Sequence, residues 1–361
     1  MFSTNKKFSL SKFKIIYLMV PANVSTGGPE ALHQLGYILK NNLNKNVKVF
    51  YVPYSSQNPV HKNYEKYFLE FTDKIEDSSE NLIIVPEYFN FLIQTLSLKK
   101  IKKSIWWLSI DNYIGSKFRS ENSKLLRSFL KIPFNLINFF NHVINFSFGI
   151  LTIEEYLKFL HKFKSLNKSI EINQANHHLA QSHYAFNYLK DNFENVDYLS
   201  DYLRDDILEN KEDFFKKKEN IICYNPSKSN KFMDLIIKKS TYKFVPLINL
   251  TNDQIKSSLI KSKLYMDIGS HPGKDRLPRE AALLGNCIIT NLKGSAFNSD
   301  DIAIPKEFKF SENLINLEKI NKKIEVIFDN YEQEYLKFNF YIKKIHNEKK
   351  VFIEEINKIF Q

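Results

Sequence analysis

The chain has 361 residues, 43% of them hydrophobic and 25% charged, which is the balance of a soluble globular protein with room for two domains. The net charge of +12 indicates an anionic partner: a nucleic acid, a membrane surface or a phosphorylated substrate. The two cysteines, Cys223 and Cys287, lie far apart among apolar residues and have neither metal-site nor redox spacing, so we expect two buried, reduced thiols.

Apolar runs alternate with helical patterns from the start of the chain. A basic beginning leads into an apolar run, residues 15–21, that is too short for a signal peptide and predicts a first strand. A glycine turn and a helix follow, and further strand-like runs end near residues 54, 87 and 111, the first of them followed by a predicted Lys/Glu-rich helix. No run reaches the roughly 18 apolar residues needed to cross a bilayer, so we expect a cytoplasmic protein.

A second series of strand-like runs occupies residues 220–291, after an acidic, irregular stretch at 198–213. Continuous apolar strands between amphipathic helices are typical of parallel sheets covered on both faces. The pattern predicts two doubly wound α/β domains, residues 1–205 and 206–335, followed by a C-terminal helix at 336–361. A ligand is expected in the cleft between them, at the carboxyl ends of the strands.

One segment, residues 116–151, breaks the alternation because it mixes Lys and Arg with many Phe, Leu and Ile. It is interpreted either as a pair of core helices or as a basic-aromatic surface that lies on the anionic inner face of a membrane. Nucleic acid is the weaker alternative, because no recognition helix, zinc finger or RNA-binding signature is present.

Two loops are candidate phosphate contacts. Gly27 and Gly28 stand between the first strand and its helix, where backbone N–H groups could face a ligand at the helix N-terminus. The loop is not G-x-G-x-x-G, so the dinucleotide interpretation is weak. Lys228 follows another buried strand, where its ammonium could lie over a diphosphate as a point charge.

The third candidate is the segment HPGKDRLPREAALLGNCIITN, residues 271–291. His271, Lys274 and Arg276 crowd the loop before a predicted helix, with Pro278 near its first position and Glu280 in its first turn. A helix N-terminus already carries partial positive charge, so added cations are unfavourable there unless an anion offsets them. Such a conflict between local preference and composition is typical of a binding site.

The motif L-P-R-E-A-A-L-L-G-N-C-I-I-T, residues 277–290, resembles the donor-site segment of GT-B glycosyltransferases, P-x-x-E-A-x-x-x-G-x-P-V-V. Glu280 matches the second glutamate of the family's E-x7-E pattern, which holds the nucleotide ribose. Lys228 falls where the family carries a basic residue near the donor diphosphate, and Gly27–Gly28 match its first N-terminal loop. The resemblance implies the GT-B fold: two Rossmann-like domains facing a cleft, the first on the acceptor side, with the C-terminal helix crossing back to it.

One position departs from the family's pattern. The first acid of E-x7-E would fall at Pro272, which leaves the donor sugar and the stereochemical outcome open. In its place His271 and Lys274 would contact the donor, and Arg276 would neutralise the leaving diphosphate.

The resemblance implies a UDP or GDP sugar as donor, with no metal ion and no tightly bound cofactor. In the family, the helix dipole and cations stabilise the leaving group instead. The acidic pairs Asp205–Asp206 and Asp300–Asp301 lie in charged stretches and are expected to be solvated rather than to bind a metal.

Three residues of the first domain are candidates for the acceptor side. Glu87 and Asp111 each come just after a buried strand, where either could take the proton of an acceptor hydroxyl in an inverting enzyme. Either could equally cap the next helix. His178 lies on the strand that resembles the last of the family's N-terminal domain, where it is expected near the cleft.

These observations predict a GT-B glycosyltransferase that moves a sugar from a nucleotide donor to a glycan or lipid-linked acceptor, in bacterial surface polysaccharide synthesis. Two alternatives remain open: a GT-B-like transferase of another nucleotide-activated group, such as a polyol phosphate, and a noncatalytic GT-B-fold partner in a glycan-assembly complex.

Overall fold

A computed structural model describes residues 8–53, 58–89, 98–111, 175–209 and 214–361. The basic-aromatic segment at 116–151 lies outside these ranges, so its two interpretations stay as they are. Within the described ranges, no helix combines the length and the apolar character needed to cross a membrane.

The first domain is built on a seven-stranded sheet in which every neighbouring pair is parallel. Its order is β3-β2-β1-β4-β5-β6-β7, and Ile16 at the start of β1 lies opposite both Val47 and Leu82. The central strands are continuous apolar runs buried on both faces, as parallel strands require. The strands are β1 Ile16–Pro21, β2 Val47–Val52, β3 Glu70–Thr72, β4 Leu82–Pro86, β5 Lys102–Trp107, β6 His177–Ala180 and β7 Val196–Tyr198.

Three α-helices of this domain are described: α1 Gly27–Asn41, α2 His183–Lys190 and α3 Asp205–Leu208. The Lys/Glu-rich segment after β2 forms a 3-10 helix, Lys62–Tyr67, followed by the edge strand β3, in place of the α-helix that the sequence predicts. Because side chains three residues apart eclipse on a 3-10 helix, Tyr64 and Tyr67 both reach one residue of α1, His33.

The second domain has a parallel five-stranded sheet of order β12-β11-β10-β8-β9. Its strands are β8 Glu219–Tyr224, β9 Lys243–Pro246, β10 Ser262–Asp267, β11 Cys287–Asn291 and β12 Lys309–Phe310. Its helices are α4 Lys231–Lys239, α5 Asn252–Lys261, α6 Arg276–Leu283, α7 Ile315–Asp329 and α8 Tyr331–Leu336. Gly285 ends α6 with φ of 84°, the left-handed conformation that favours glycine after a helix.

The last helix, α9 Asn339–Phe360, joins the two domains. Near its start, Tyr341 and Ile345 pack into the core of the second domain, whereas Phe352, Ile356 and Phe360 pack into that of the first. Spacing by four keeps these three side chains on one face of the helix, and burial of each contributes about 1.5–3 kcal/mol. The helix therefore crosses back, as predicted.

The two sheets, with the crossing helix, form two Rossmann-like α/β domains. The proposed boundary at residue 205 lies in α3, between the end of β7 and the start of β8.

One of the two acidic pairs that were expected to be solvated, Asp300–Asp301, has a buried member. Asp301 is not solvated: it is 1% exposed, and its carboxylate accepts the backbone N–H groups of His183 (2.7 Å) and Tyr184 (2.9 Å). These are the first residues of α2, whose N–H groups have no partner inside the helix and are satisfied here by the other domain. Asp205 and Asp206 do have exposed side chains, as expected.

Candidate active site

Two helix N-termini, one from each domain, meet at the carboxyl ends of the sheets. Helix α1 begins at Gly27 and helix α6 at Arg276. A methyl group placed on Gly27 would lie 3.3 Å from both Cδ and Nε of Arg276, so the two helix starts are in contact. Both present unpaired backbone N–H groups and the positive end of a helix dipole, which together attract anions.

Leu108, just after β5, is in contact with both the start of α1 and the loop before α6. A methyl group on Gly28 would lie 3.3 Å from the Leu108 side chain, and one on Gly273 would lie only 2.1 Å from its carbonyl oxygen. The neighbouring Lys274 N–H donates to Oε1 of Gln181, at the end of β6, over 3.2 Å. The loop before α6 is therefore held directly against the first domain, and only glycine fits at position 273.

Two of the four predicted cations have strong partners among the protein's own carboxylates. Lys274 is 6% exposed, and its Nζ lies 2.9 Å from Oε1 of Glu348 on α9. The ammonium of Lys228 forms a close ion pair with Asp275. Lys228 remains partly exposed, so an arriving anion could exchange with Asp275, whereas Lys274 is committed to linking the loop to α9.

Arg276 is held more loosely. Its Nε lies 3.3 Å from Oδ2 of Asp201, and a terminal nitrogen lies 3.4 Å from Oε1 of Gln34. Both distances are long for charge-assisted hydrogen bonds, which cluster near 2.7–2.9 Å. Arg276 is thus the predicted cation that contacts the glycine loop and has the weakest internal partners.

The fourth predicted cation, His271, is buried beneath the loop. Its Nδ1 lies 3.2 Å from Oδ2 of Asp275, and its Nε2 lies 3.1 Å from the carbonyl oxygen of Asp267. Burial alone would lower the pKa of His271, but the carboxylates of Asp267 and Asp275 outweigh burial and raise it. His271 orients Asp275, which in turn faces Lys228.

Asp267, His271 and Asp275 also form the group of described residues with metal-site spacing, their ligand atoms lying within 4.8 Å of one another. The ammonium of Lys228 already pairs with a carboxylate oxygen of Asp275. A cation at that oxygen repels a metal ion, so this group has the chemistry of a charge-balanced ion-pair cluster.

Glu280 lies one turn after Arg276 on the same face of α6. It is half-buried, and its carboxylate makes no hydrogen bond or ion pair to any described residue. Burial raises its pKa, while the positive charges of Arg204, Arg276 and Arg279 oppose that shift. A carboxylate that has no partner among the described residues and lies next to the loosely held Arg276 is free to accept hydroxyl groups of a ligand.

The three acceptor-side candidates occupy different environments. Glu87 is 6% exposed and accepts the N–H of Leu108 over 2.9 Å, which places it directly behind the contact between the two loops. Burial raises the pKa of Glu87 to about 7. Asp111 accepts the hydroxyl of Tyr184 over 2.7 Å.

His178 is not brought to the two helix starts. Its Nδ1 accepts the indole N–H of Trp107 over 3.1 Å, and its ring centroid lies 4.1 Å from that of Phe193. Burial lowers the pKa of His178 to about 4, as for a core histidine. His178 lies within β6, whereas Gln181, directly after the strand, reaches the loop before α6.

Two residues important to the site were missed by the sequence patterns. Asp201, which holds Arg276, lies in the acidic stretch that was assigned only as a separator, and Glu348 lies among many similar residues of the C-terminal helix. No local signal distinguishes these buried carboxylates from solvated ones.

No protein-family profile matches this sequence, and a comparison with curated protein sequences finds no relative. Solved structures do match the fold. Anabaena Alr3699/HepE, solved in complex with UDP and glucose, superposes with a TM-score of 0.60 at 9% identity, over 96% of this chain and 98% of its own.

Two further structures cover nearly the whole chain. Sucrose-phosphate synthase from Thermosynechococcus elongatus has a TM-score of 0.51 at 10% identity, over 96% of this chain and 95% of its own. A glycosyltransferase from Rickettsia africae has a TM-score of 0.50 at 13% identity, over 96% and 94%. The two facing Rossmann-like domains and the crossing C-terminal helix are the GT-B fold, as predicted.

Proposed function

We propose that this protein is a glycosyltransferase that takes a sugar from a nucleotide-sugar donor bound between its two domains. The observation that carries the proposal is the contact between Gly27, at the start of α1, and Arg276, at the start of α6. Two helix N-termini and a loosely held guanidinium converge there, which is the arrangement that a diphosphate requires. The GT-B fold, matched by Anabaena HepE over 96% of the chain, supports this assignment.

Different residues around this contact bind different parts of the donor. Backbone N–H groups at Gly27 and Gly28 and the guanidinium of Arg276 hold the diphosphate. Glu280 accepts the ribose hydroxyls. Lys228 can exchange Asp275 for a phosphate oxygen, while His271 and Lys274 act mainly by holding the loop.

In the transfer step, an acceptor oxygen bonds to the anomeric carbon as the bond from that carbon to the diphosphate breaks. The electron pair of the broken bond stays on the diphosphate, where Arg276 and the helix dipoles stabilise the added charge. If the enzyme inverts, Glu87 is the candidate base, because its pKa of about 7 suits proton uptake near neutral pH. Asp111, already paired with Tyr184, is the alternative.

For the substrates we propose a UDP or GDP sugar and a glycan or lipid-linked acceptor in bacterial surface polysaccharide synthesis. The HepE complex with UDP-glucose supports a donor of this chemical class. The net charge of +12 and the basic-aromatic composition of residues 116–151 favour an acceptor held near an anionic membrane.

Calorimetric titration with UDP, GDP, CDP and ADP tests the donor site, and mass spectrometry of the matching nucleotide sugars tests turnover. We expect one nucleoside diphosphate to bind and Glu280→Ala to weaken it about tenfold, by loss of the ribose contact. Lys319→Gln, an exposed cation on α7, serves as the control and should bind as the wild type does.

Absence of binding by all four nucleotides would overturn the donor site. Binding without any release of sugar, even with acceptor glycans present, would leave a nucleotide-binding protein and not a transferase.

A further inference from the structure

Four buried side chains form an ionic cluster below the loop before α6, residues 268–275, which we call the donor loop. They are Asp201, Lys274, Arg279 and Glu348. Each is 6% exposed or less. Arg279 donates from one terminal nitrogen to both oxygens of Asp201, at 2.9 and 3.0 Å, and from the other to Glu348 at 2.7 Å. Lys274 completes the cluster by its contact with Glu348 at 2.9 Å. The cluster connects the end of the first domain, the donor loop, α6 and α9.

The charges of this cluster balance without Arg276. Two carboxylates face two cations, Arg279 and Lys274, and both oxygens of Asp201 accept short bonds from Arg279. Burial alone would raise the pKa of Asp201, but Arg279 and then Arg276 outweigh it and lower the pKa, so Asp201 is ionised. Arg276, at 3.3 Å, is a secondary partner of a carboxylate that is already neutralised.

Arg279 occupies an unfavourable position unless it serves this balance. It is fully buried in the first turn of α6, where the helix dipole opposes a positive charge. Its Nε also donates to the carbonyl oxygen of Asp275, and a terminal nitrogen donates to that of Lys274, so it holds the donor loop from beneath.

We infer that Arg279 is a positioning residue that keeps Arg276 available for the donor diphosphate by occupying Asp201. Without Arg279, Asp201 would be left facing Arg276, and Glu348 would be left facing Lys274. Arg276 would then close onto Asp201 and lose its attraction for an anion. This inference rests on the proposed function for its ligand, but the competition for Asp201 is a property of the protein alone.

The test compares Arg279→Gln with the double variant Asp201→Asn/Arg279→Gln. UDP and inorganic pyrophosphate are titrated calorimetrically, and both variants are crystallised. In Arg279→Gln we expect Arg276 to form two short bonds with Asp201 and the affinity for UDP and pyrophosphate to fall about tenfold. In the double variant the competing carboxylate is gone, so the affinity should return to within about threefold of the wild type.

Lys349→Gln is the matched control, because Lys349 neighbours Glu348 on α9 but pairs with the exposed Asp205. Thermal unfolding of every variant separates loss of fold from loss of binding. The position of Arg276 in the crystals separates competition for Asp201 from a purely structural role, which predicts no movement of Arg276 onto Asp201.

An unmoved Arg276 in Arg279→Gln, or an affinity that the double variant does not recover, would overturn the inference. If the wild type binds neither pyrophosphate nor any of the four nucleoside diphosphates, the proposed function fails, and the position of Arg276 in the Arg279→Gln crystal alone decides the inference.

Discussion

The two helix starts that meet at the cleft differ in the partners of the polar side chains around them. Around the start of α1, aromatic hydroxyl groups make most of the polar contacts and one ion pair is partly exposed: His33 Nε2 lies 2.8 Å from the hydroxyl of Tyr51, Tyr67 donates to Glu30, and Lys66 Nζ lies 3.6 Å from Glu30. Around the start of α6, the contacts are ion pairs between buried or partly buried side chains, such as Lys228 with Asp275 and Arg279 with Asp201.

The buried histidine beside each helix start, His33 for α1 and His271 for α6, shows the difference most directly. Burial lowers the pKa of His33 to about 4, so His33 is neutral near pH 7. For His271, Asp267 and Asp275 overcome burial and raise the pKa. One domain thus contributes a helix dipole beside a neutral histidine and a single carboxylate, Glu30, while the other contributes a cation from a nearly balanced set of charges. An anion gains from both without having to displace a strong internal ion pair.

The largest expected effect on stability comes from removing one charge of the ionic cluster near the start of α6. Glu348→Gln leaves Arg279 and Lys274 short of a buried carboxylate, which should lower the free energy of unfolding by about 3–5 kcal/mol. Glu354→Gln, on the same helix but with an exposed partner in Lys350, should change it by less than about 0.5 kcal/mol. Urea denaturation of both variants checks this, and equal losses would show that burial of the ionic cluster is irrelevant.

A smaller effect is expected from crowding the contact between the domains. Gly273→Ala places a methyl group against the carbonyl oxygen of Leu108 and should cost about 1–3 kcal/mol of unfolding free energy. Gly28→Ala meets only the end of a flexible side chain and gains helix propensity, so its net effect should be within about 0.5 kcal/mol. Thermal unfolding measures both; a stable Gly273→Ala would mean that the loops are farther apart than described.

The two histidines should give stability opposite pH dependences. Because the folded-state pKa of His33 lies below its unfolded value of about 6.5, its contribution is lost as pH falls from about 6.5 to 4, at up to about 1.4 kcal/mol per pH unit. Because the folded-state pKa of His271 is raised, its contribution is full below about pH 6.5 and is lost as pH rises through the folded value.

Urea midpoints of His33→Gln and His271→Gln, compared with the wild type between pH 4.5 and about 8.5, measure these contributions. The difference between wild type and variant should grow towards high pH for His33 and towards low pH for His271. If this difference changed with pH in the same direction for both variants, the two histidines would not differ in protonation as described.

Much of this architecture could be predicted from local sequence. Both series of apolar strands, the glycine turn before α1, the end of α6 at Gly285 and the crossing of the last helix follow from periodicity and turn chemistry, or from the family resemblance. The charge balance could not be predicted, because Arg279 pairs with residues 78 and 69 positions away. Asp301 shows the same limit: beside the exposed Asp300 it looks solvated, and only the tertiary fold places it on α2.

Whether Arg276 acts on the diphosphate can be measured directly. The nucleoside diphosphate that binds best is titrated calorimetrically against wild type and Arg276→Gln, together with the matching nucleoside. We expect Arg276→Gln to lose about tenfold or more in affinity for the diphosphate and less than about twofold for the nucleoside. Equal affinities of wild type and variant for the diphosphate would contradict this expectation.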